Sequence, residues 1–194
     1  MEPTDLRDFA DLRSPAGLRW PAADRRLGRF VGAVVEGLTA PFEPKPGEQA
    51  LALRCMGRKK PRCSGRIDAG VEGQRAWWRC PRCGDEGSLL GWQGGPWDLA
   101  ELDTDAFEES ALATVRLAGP VMEALCSIPV LDRAAERVLA TARRTGARGV
   151  VVCAPEAWLG HLAEFVASEL NHTEETEQYQ RRLEQAYQAL ARYA

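Results

Sequence analysis

Four cysteines with the spacing of metal ligands are the residues of this sequence best suited to chemistry. Seven residues separate Cys55 from Cys63, sixteen residues follow, and Cys80 and Cys83 form a C-x2-C pair. Zinc prefers four thiolate ligands in a tetrahedron, with sulfur about 2.3 Å from the metal. The cysteines therefore predict one zinc site, of the zinc-ribbon type, with four ligands: Cys55, Cys63, Cys80 and Cys83.

Two other interpretations of the cysteines stay open at this level. Cys80 and Cys83 alone could form a redox pair, or a half-site completed by a second chain. Gly84 and Gly87 follow at once, which disfavours the helix that comes after a thioredoxin-like C-x-x-C. Four thiolates leave no open coordination position, so the predicted zinc is structural and not catalytic.

The other cysteines and the two histidines form no catalytic constellation in the sequence. Cys126 and Cys153 lie among apolar residues and are predicted to pack in a core. His161 and His172 have no cysteine or acid placed to act with them. The sequence thus predicts a protein without catalytic residues that is not an enzyme, and an enzyme of unrecognised type stays an alternative.

Basic residues are concentrated around the cysteines. The segment from Arg54 to Arg82 has nine basic and two acidic residues, a net charge of +7, whereas the remaining 16 basic and 26 acidic residues leave −10. Such polarity can steer a protein toward phosphate backbones or acidic protein surfaces. We therefore expect a nucleic-acid or partner-binding surface with these members: Arg58, Lys59, Lys60, Arg62, Arg75, Trp78, Arg79 and Arg82.

Each part of this surface also has a purely structural interpretation. Four thiolates on a divalent ion carry a charge of about −2, which nearby arginines offset. Trp77 and Trp78 point to opposite faces of a predicted strand, so one belongs to the core and one is more exposed. The alternative function is a protein-interaction or regulatory subunit that docks through the ribbon or the C-terminal helix.

The elements that must position the cysteines give an α+β fold. We expect a three-stranded β zinc ribbon, flanked by an N-terminal helix and a small, mainly helical α/β C-terminal unit. The ribbon strands are predicted at Ile67, around Trp77 and over 87–92. The segments are an irregular stretch, amphipathic helix and Pro-rich linker (1–47), the ribbon (48–97), an acidic linker (98–109) and the α/β unit (110–194).

Apolar periodicity and capping residues define the predicted helices. Asp24 starts a helix to Leu38 with a core-facing stripe at Leu27, Phe30, Val31, Val34, Val35 and Leu38. Asp132 caps a helix that runs to about Arg144 and ends at Gly146. A buried strand over 149–153 precedes a helix over 155–170. Asn171 and Glu174 have the spacing of a capping box that starts the final amphipathic helix.

Neither a secretory leader nor a membrane span is recognisable in the sequence. Hydrophobic residues make up 45% and charged residues 27%, which suits a folded domain. A cytoplasmic protein is therefore the expectation. In a reducing compartment, clustered cysteines bind metals more often than they form disulfides.

A family resemblance rests on the stretch from Leu53 to Leu99. Its three motifs are C-x7-C-x-G-R-I, W-x-R-C-P-R-C-G-D-E-G and G-W-x-x-x-P-W-D-L. With the tail that ends in E-L-N-H at His172, they resemble a group of uncharacterised bacterial zinc-ribbon proteins. The resemblance implies a zinc ribbon fused to a small α/β domain, and it implies no activity.

Overall fold

The chain forms two compact units, residues 1–101 and 102–194. The structure is a computed structural model, and it describes residues 3–13, 20–42, 47–57, 63–100, 110–146, 149–172 and 175–194. Both units combine strands with helices. This confirms the predicted mixture of α and β structure.

The first unit is a five-stranded sheet covered by one long helix. Its elements are β1 (Thr4–Asp5), a 3-10 helix (Leu6–Arg13), α1 (Ala22–Thr39), β2 (Gln49–Arg54), β3 (Arg66–Glu72), β4 (Arg75–Arg79) and β5 (Glu86–Leu90). The strands lie in the order β1-β5-β4-β3-β2, with β1 parallel to β5 and every other pair antiparallel. The predicted ribbon strands thus lie inside a wider sheet, and the N-terminal stretch predicted to be irregular supplies its edge strand.

Helix α1 buries the apolar stripe predicted from its sequence. Phe30, Val31, Val34 and Val35 are at most 8% exposed, and they share a core with Leu51 and Ile67 of the sheet. The predicted cap at Asp24 is wrong. The helix begins at Ala22 after Pro21, so the Asp24 carboxylate lies in the first turn, where it favours the helix dipole.

The second unit packs four helices around a three-stranded antiparallel sheet in the order β7-β8-β6. Its elements are β6 (Leu112–Ala118), α2 (Gly119–Leu125), α3 (Arg133–Ala140), β7 (Arg143–Thr145), β8 (Gly149–Pro155), α4 (Glu156–His172) and α5 (Glu177–Leu190). Val115, Val152, Trp158 and Leu183 are at most 2% exposed. These side chains give the second unit an ordinary apolar core.

Two helix boundaries of the second unit differ from the predictions. The helix capped by Asp132 ends at Ala140, because Arg143–Thr145 pairs as a strand with β8. Asn171 lies inside α4, and the side chain of Thr176 caps α5 by accepting from the Tyr179 N–H. The capping box predicted at Asn171 is therefore wrong, and its second member, Glu174, lies outside the described residues.

Parts of both predicted linkers also lie outside the described residues, namely 43–46 and 101–109. Within the described part of the chain, none of the helices has both the length and the apolar character needed to cross a membrane.

Candidate metal centre

Two hairpin ends bring the four cysteines together at one end of the first sheet. Cys55 follows β2, and its N–H donates to the Gly65 carbonyl at 2.8 Å just before β3. Cys80 follows β4, and its N–H donates to the Asp85 carbonyl at 2.7 Å just before β5. Each cysteine pair thus belongs to a loop whose base is closed by a continuation of the strand ladder.

The four Sγ atoms all lie within 4.8 Å of one another, close enough to hold one metal ion. Cys55 Sγ is 3.6 Å from Cys83 Sγ, and Cys63 Sγ is 3.9 Å from Cys80 Sγ. A tetrahedron with metal–sulfur bonds of about 2.3 Å has sulfur–sulfur edges of about 3.8 Å. These two separations therefore fit opposite edges of a tetrahedral thiolate site.

Backbone N–H groups donate to the sulfur atoms in a repeated pattern. Gly57 N–H donates to Cys55 Sγ and Gly65 N–H to Cys63 Sγ, both at 3.3 Å. Cys80 accepts from the Arg82 N–H, and Cys83 from the Asp85 N–H. Every cysteine thus accepts from the residue two positions later in the chain, and such donors stabilise thiolates.

Glycine is required at two points of the site. A Cβ on Gly65 would lie 2.6 Å from Cys80 Sγ and 3.3 Å from Cys63 Sγ. Gly84 has a φ of 68°, a left-handed conformation that side chains disfavour. The cysteine spacing gave no sign that Gly65 lies against the sulfur atoms.

Burial and backbone N–H donors act on the thiol pKa values in opposite directions. Burial raises the pKa of the Cys55 thiol. Burial also acts to raise the pKa of Cys80, but N–H donors from Cys83 and Arg82 outweigh it and lower that pKa below its usual value. A cation at the centre would stabilise the thiolate form of all four ligands.

A buried carboxylate adjoins the site, and sequence analysis missed it. Asp85 is 1% exposed, and its Oδ2 lies 4.0 Å from Cys55 Sγ. Its only sequence signal is its position directly after the C-P-R-C-G motif. Asp85 therefore borders the four sulfur ligands and supplies backbone contacts to Cys80 and Cys83.

The arrangement disfavours both alternatives for the cysteines. Cys83 leads into strand β5, whereas a thioredoxin-like C-x-x-C opens a helix. All four sulfur atoms of the group come from one chain. A second chain is therefore not needed to complete a four-ligand site.

The eight residues of the predicted binding surface differ in their surroundings. Arg58, Lys59, Lys60 and Arg62 lie outside the described residues. Arg82 is exposed between the two cysteines of its loop, and its Nη1 donates to Ser64 Oγ at 2.5 Å.

Arg75 and Arg79 of β4 each have an acidic residue nearby. Arg79 pairs with Glu48 at 2.7 Å, and Arg75 is the register partner of Glu72. The Arg79 charge is therefore compensated by an ion pair, whereas Arg75 has an acidic residue opposite it on β3.

The binding role predicted for Trp78 is wrong, because its side chain is only 2% exposed. Trp78 packs edge-on against Phe30 of α1, with ring centroids 4.8 Å apart. Its neighbour Trp77 is partly exposed on the opposite sheet face, with the Arg79 guanidinium 5.8 Å from its ring centroid. The predicted alternation of the two tryptophans is confirmed, with Trp78 as the core member.

Three residues of the second unit also differ from expectation. Cys126 is exposed and Cys153 is half-buried, so the predicted core position is wrong for Cys126. His161 Nε2 lies 2.7 Å from Asp132 Oδ2, and His161 Nδ1 lies 3.6 Å from Glu164 Oε2. Acidic partners that the sequence did not reveal thus flank His161.

Comparison of the chain with protein-family models, with curated proteins and with solved structures finds no match. Function therefore has to be inferred from the geometry of the cysteine site and its surroundings.

Proposed function

We propose that the four cysteines hold a structural zinc ion, and that this ion fixes a basic surface that binds nucleic acid. The convergence of four Sγ atoms of one chain within 4.8 Å carries the first half of the proposal. An all-thiolate donor set suits zinc, and four protein ligands close its coordination sphere. The role proposed is therefore binding and not catalysis.

The described arginines support a basic surface at the cysteine end of the sheet. Arg26 of α1 donates to the Met56 carbonyl at 2.9 Å, beside Cys55. Arg82 donates to the Ser64 hydroxyl, beside Cys63. Both acceptors are neutral, so these contacts position the guanidinium groups without cancelling their charge. In the sequence, residues 58–62 (R-K-K-P-R) lie between Gly57 and Cys63 and include four further basic residues.

Phosphate groups are the partners that such a surface fits best. Arginine offers a planar fork of donors that matches phosphate oxygens. Zinc would hold both loops in place, so the basic groups would be presented without a large ordering cost. The proposed phosphate-binding surface lies at the cysteine end of the sheet. It does not include Arg79, because Glu48 neutralises the charge of that side chain.

Fluorescence anisotropy of zinc-loaded protein with labelled single- and double-stranded DNA and RNA tests the proposal. With four phosphate contacts on duplex DNA, affinity should fall about 100-fold between 50 and 200 mM salt. The triple variant Lys59→Ala, Lys60→Ala, Arg62→Ala should lose most of the binding. Arg79→Ala is the matched control and should retain it. Absence of binding at low salt would overturn the nucleic-acid half of the proposal.

A second candidate is protein docking through the sheet face around Trp77. Trp77 and Arg79 are adjacent on this face, and Trp and Arg are enriched among residues that dominate protein interfaces. Docking through the apolar stripe of α5 is less favoured, because Leu183, Ala186 and Leu190 are at most 1% exposed. Salt-insensitive binding of a protein partner would favour this candidate, provided that the binding is lost in Trp77→Ala but kept in the triple variant.

A further inference from the structure

Strand β6 is an edge strand of the second unit with one side open. Among the described residues, it pairs only with β8, from Leu112 opposite Pro155 to Ala118 opposite Gly149. Leu112, Thr114, Arg116 and Ala118 are exposed. An open edge presents backbone N–H and carbonyl groups to which another strand can bond.

The register shows which backbone groups face this open side. The Glu156 N–H donates to the Ala111 carbonyl at 2.9 Å, in line with the β6–β8 ladder. Hydrogen-bonded and non-hydrogen-bonded pairs alternate along antiparallel strands. Leu112, Thr114 and Arg116 therefore direct their N–H and carbonyl groups away from β8. Pro155, which has no N–H, lies opposite Leu112 at one of these non-bonded positions.

Helix α5 turns the open edge into a basic groove. The groove has a volume of about 380 Å³ and is lined by Thr114, Val115, Arg116, Gln188, Ala189 and Arg192. Two of these six residues are cationic and none is acidic. Arg192 Nη2 donates to the Thr114 carbonyl at 3.4 Å, and its guanidinium lies 4.6 Å from the Tyr193 ring centroid. Thr114 thus already accepts one long hydrogen bond on its open side.

We propose that this groove binds an extended, acidic peptide segment of a partner protein, which adds to the sheet as a strand beside β6. The outward backbone groups of Thr114 and Arg116 would pair with the peptide backbone, as in other cases of strand addition. The guanidinium groups of Arg116 and Arg192 would bind carboxylates at alternate positions of the peptide. The contact of Arg192 with Thr114 is long for a hydrogen bond, so an incoming N–H can replace it.

Selection from a phage-displayed random peptide library on the zinc-loaded full chain tests this proposal. The enriched peptides should carry Asp or Glu at alternate positions. A synthetic copy of an enriched peptide should bind Arg116→Glu at least 10-fold more weakly than the unmodified chain. Arg181→Glu makes the same charge change on α5, at an exposed residue paired with Glu177 outside the groove, and should leave peptide binding unchanged.

The variant Thr114→Pro distinguishes binding by strand addition from binding by charge attraction alone. Proline removes an N–H that faces the open side and leaves the bonds to β8 in place. Peptide binding should fall at least 10-fold, while the thermal midpoint and nucleic-acid binding remain. Should this variant fail to fold, hydrogen exchange on the unmodified chain decides, because bound peptide should slow exchange of the Thr114 and Arg116 amides. A library without acidic enrichment, or a bound peptide that leaves both amides unprotected, would overturn the proposal.

Discussion

The two units of this chain keep their folds by different means. In the second unit, helices cover a small sheet, and side chains such as Val152 and Trp158 are almost completely buried. In the first unit, α1 covers the middle of the sheet, but one end of the sheet is closed by four cysteines. The first unit thus has a group of four cysteines that could hold a metal ion, whereas the described part of the second unit is held mainly by an apolar core.

Metal removal is the strongest test of this difference. A chelator should unfold the cysteine end of the first unit and leave the second unit folded, because structural zinc contributes about 10–16 kcal/mol in small zinc domains. Hydrogen exchange should show protection lost in β2 to β5 and kept in β8. Cys80→Ser should act like the chelator, whereas Cys126→Ser, at an exposed cysteine of the second unit, should not. Unchanged exchange in the first unit after metal removal would contradict the comparison.

Two neighbouring tryptophans test how the first unit couples its core to the metal site. Trp78→Ala should lower the free energy of unfolding by about 3–5 kcal/mol, because a buried aromatic side chain is lost. Trp77→Ala should cost about 1 kcal/mol or less, since Trp77 is on the partly exposed face. Urea denaturation followed by circular dichroism measures both.

Trp158→Ala provides the matched change in the second unit, where Trp158 is 1% exposed. Its loss of stability should resemble that of Trp78→Ala, but its metal affinity should stay unchanged. Equal metal affinity in the Trp78 and Trp158 variants would show that the first core does not support the site.

Gly65→Ala tests the fit of the backbone around the sulfur atoms. The added Cβ would approach Cys80 Sγ to 2.6 Å, so we expect metal affinity to fall about 10- to 100-fold, as for other residues that support metal ligands. Competition with a chromophoric chelator measures the change. Gly73→Ala is the control. Gly73, unlike Gly65, has a positive φ, and it has no atoms within 4 Å of its Cβ position, so stability should fall by about 1–2 kcal/mol with metal affinity retained.

Local sequence signals predicted the features that depend on local chemistry. The approach of the four sulfur atoms followed from the cysteine spacing, and the buried stripe of α1 followed from its apolar periodicity. The cap at Asp132 is also confirmed, since its Oδ1 accepts from the Ala135 N–H at 2.8 Å. In each case the residues that decide the structure are close together in the chain or have one dominant chemical role.

Features that depend on pairing or packing against another element were not predictable in the same way. The helix after Asp132 ends early because β8 takes Arg143–Thr145 as a strand partner, a pairing that overrides helix propensity. One of the two neighbouring tryptophans was expected to be buried, but the position of α1 decides that it is Trp78. Asp85 and Gly65 adjoin the cysteines through strand pairing, which the spacing alone does not reveal.

The cap at Asp132 gives the smallest expected effect and a control for the second unit. Asp132→Ala should lower its stability by about 1 kcal/mol, the usual cost of a lost N-cap. Asp132→Asn keeps an oxygen that can accept from Ala135 and should cost less. Thermal unfolding of the zinc-loaded variants measures both changes, and neither should alter metal affinity.

The same residue predicts a pH dependence in the second unit. Burial acts to raise the pKa of Asp132, but the Ala135 N–H and His161 together lower it below the ordinary value of 3.8. A carboxyl with a lower pKa in the folded state binds fewer protons there than in the unfolded state, so its contribution is present above about pH 4 and is lost as the pH falls below. Amide hydrogen exchange measured at decreasing pH should therefore show that α3 of the unmodified protein loses protection below pH 4. The Asp132→Asn variant should lack this loss of protection. An identical acid response in the two proteins would show that the Asp132 charge adds nothing to the cap.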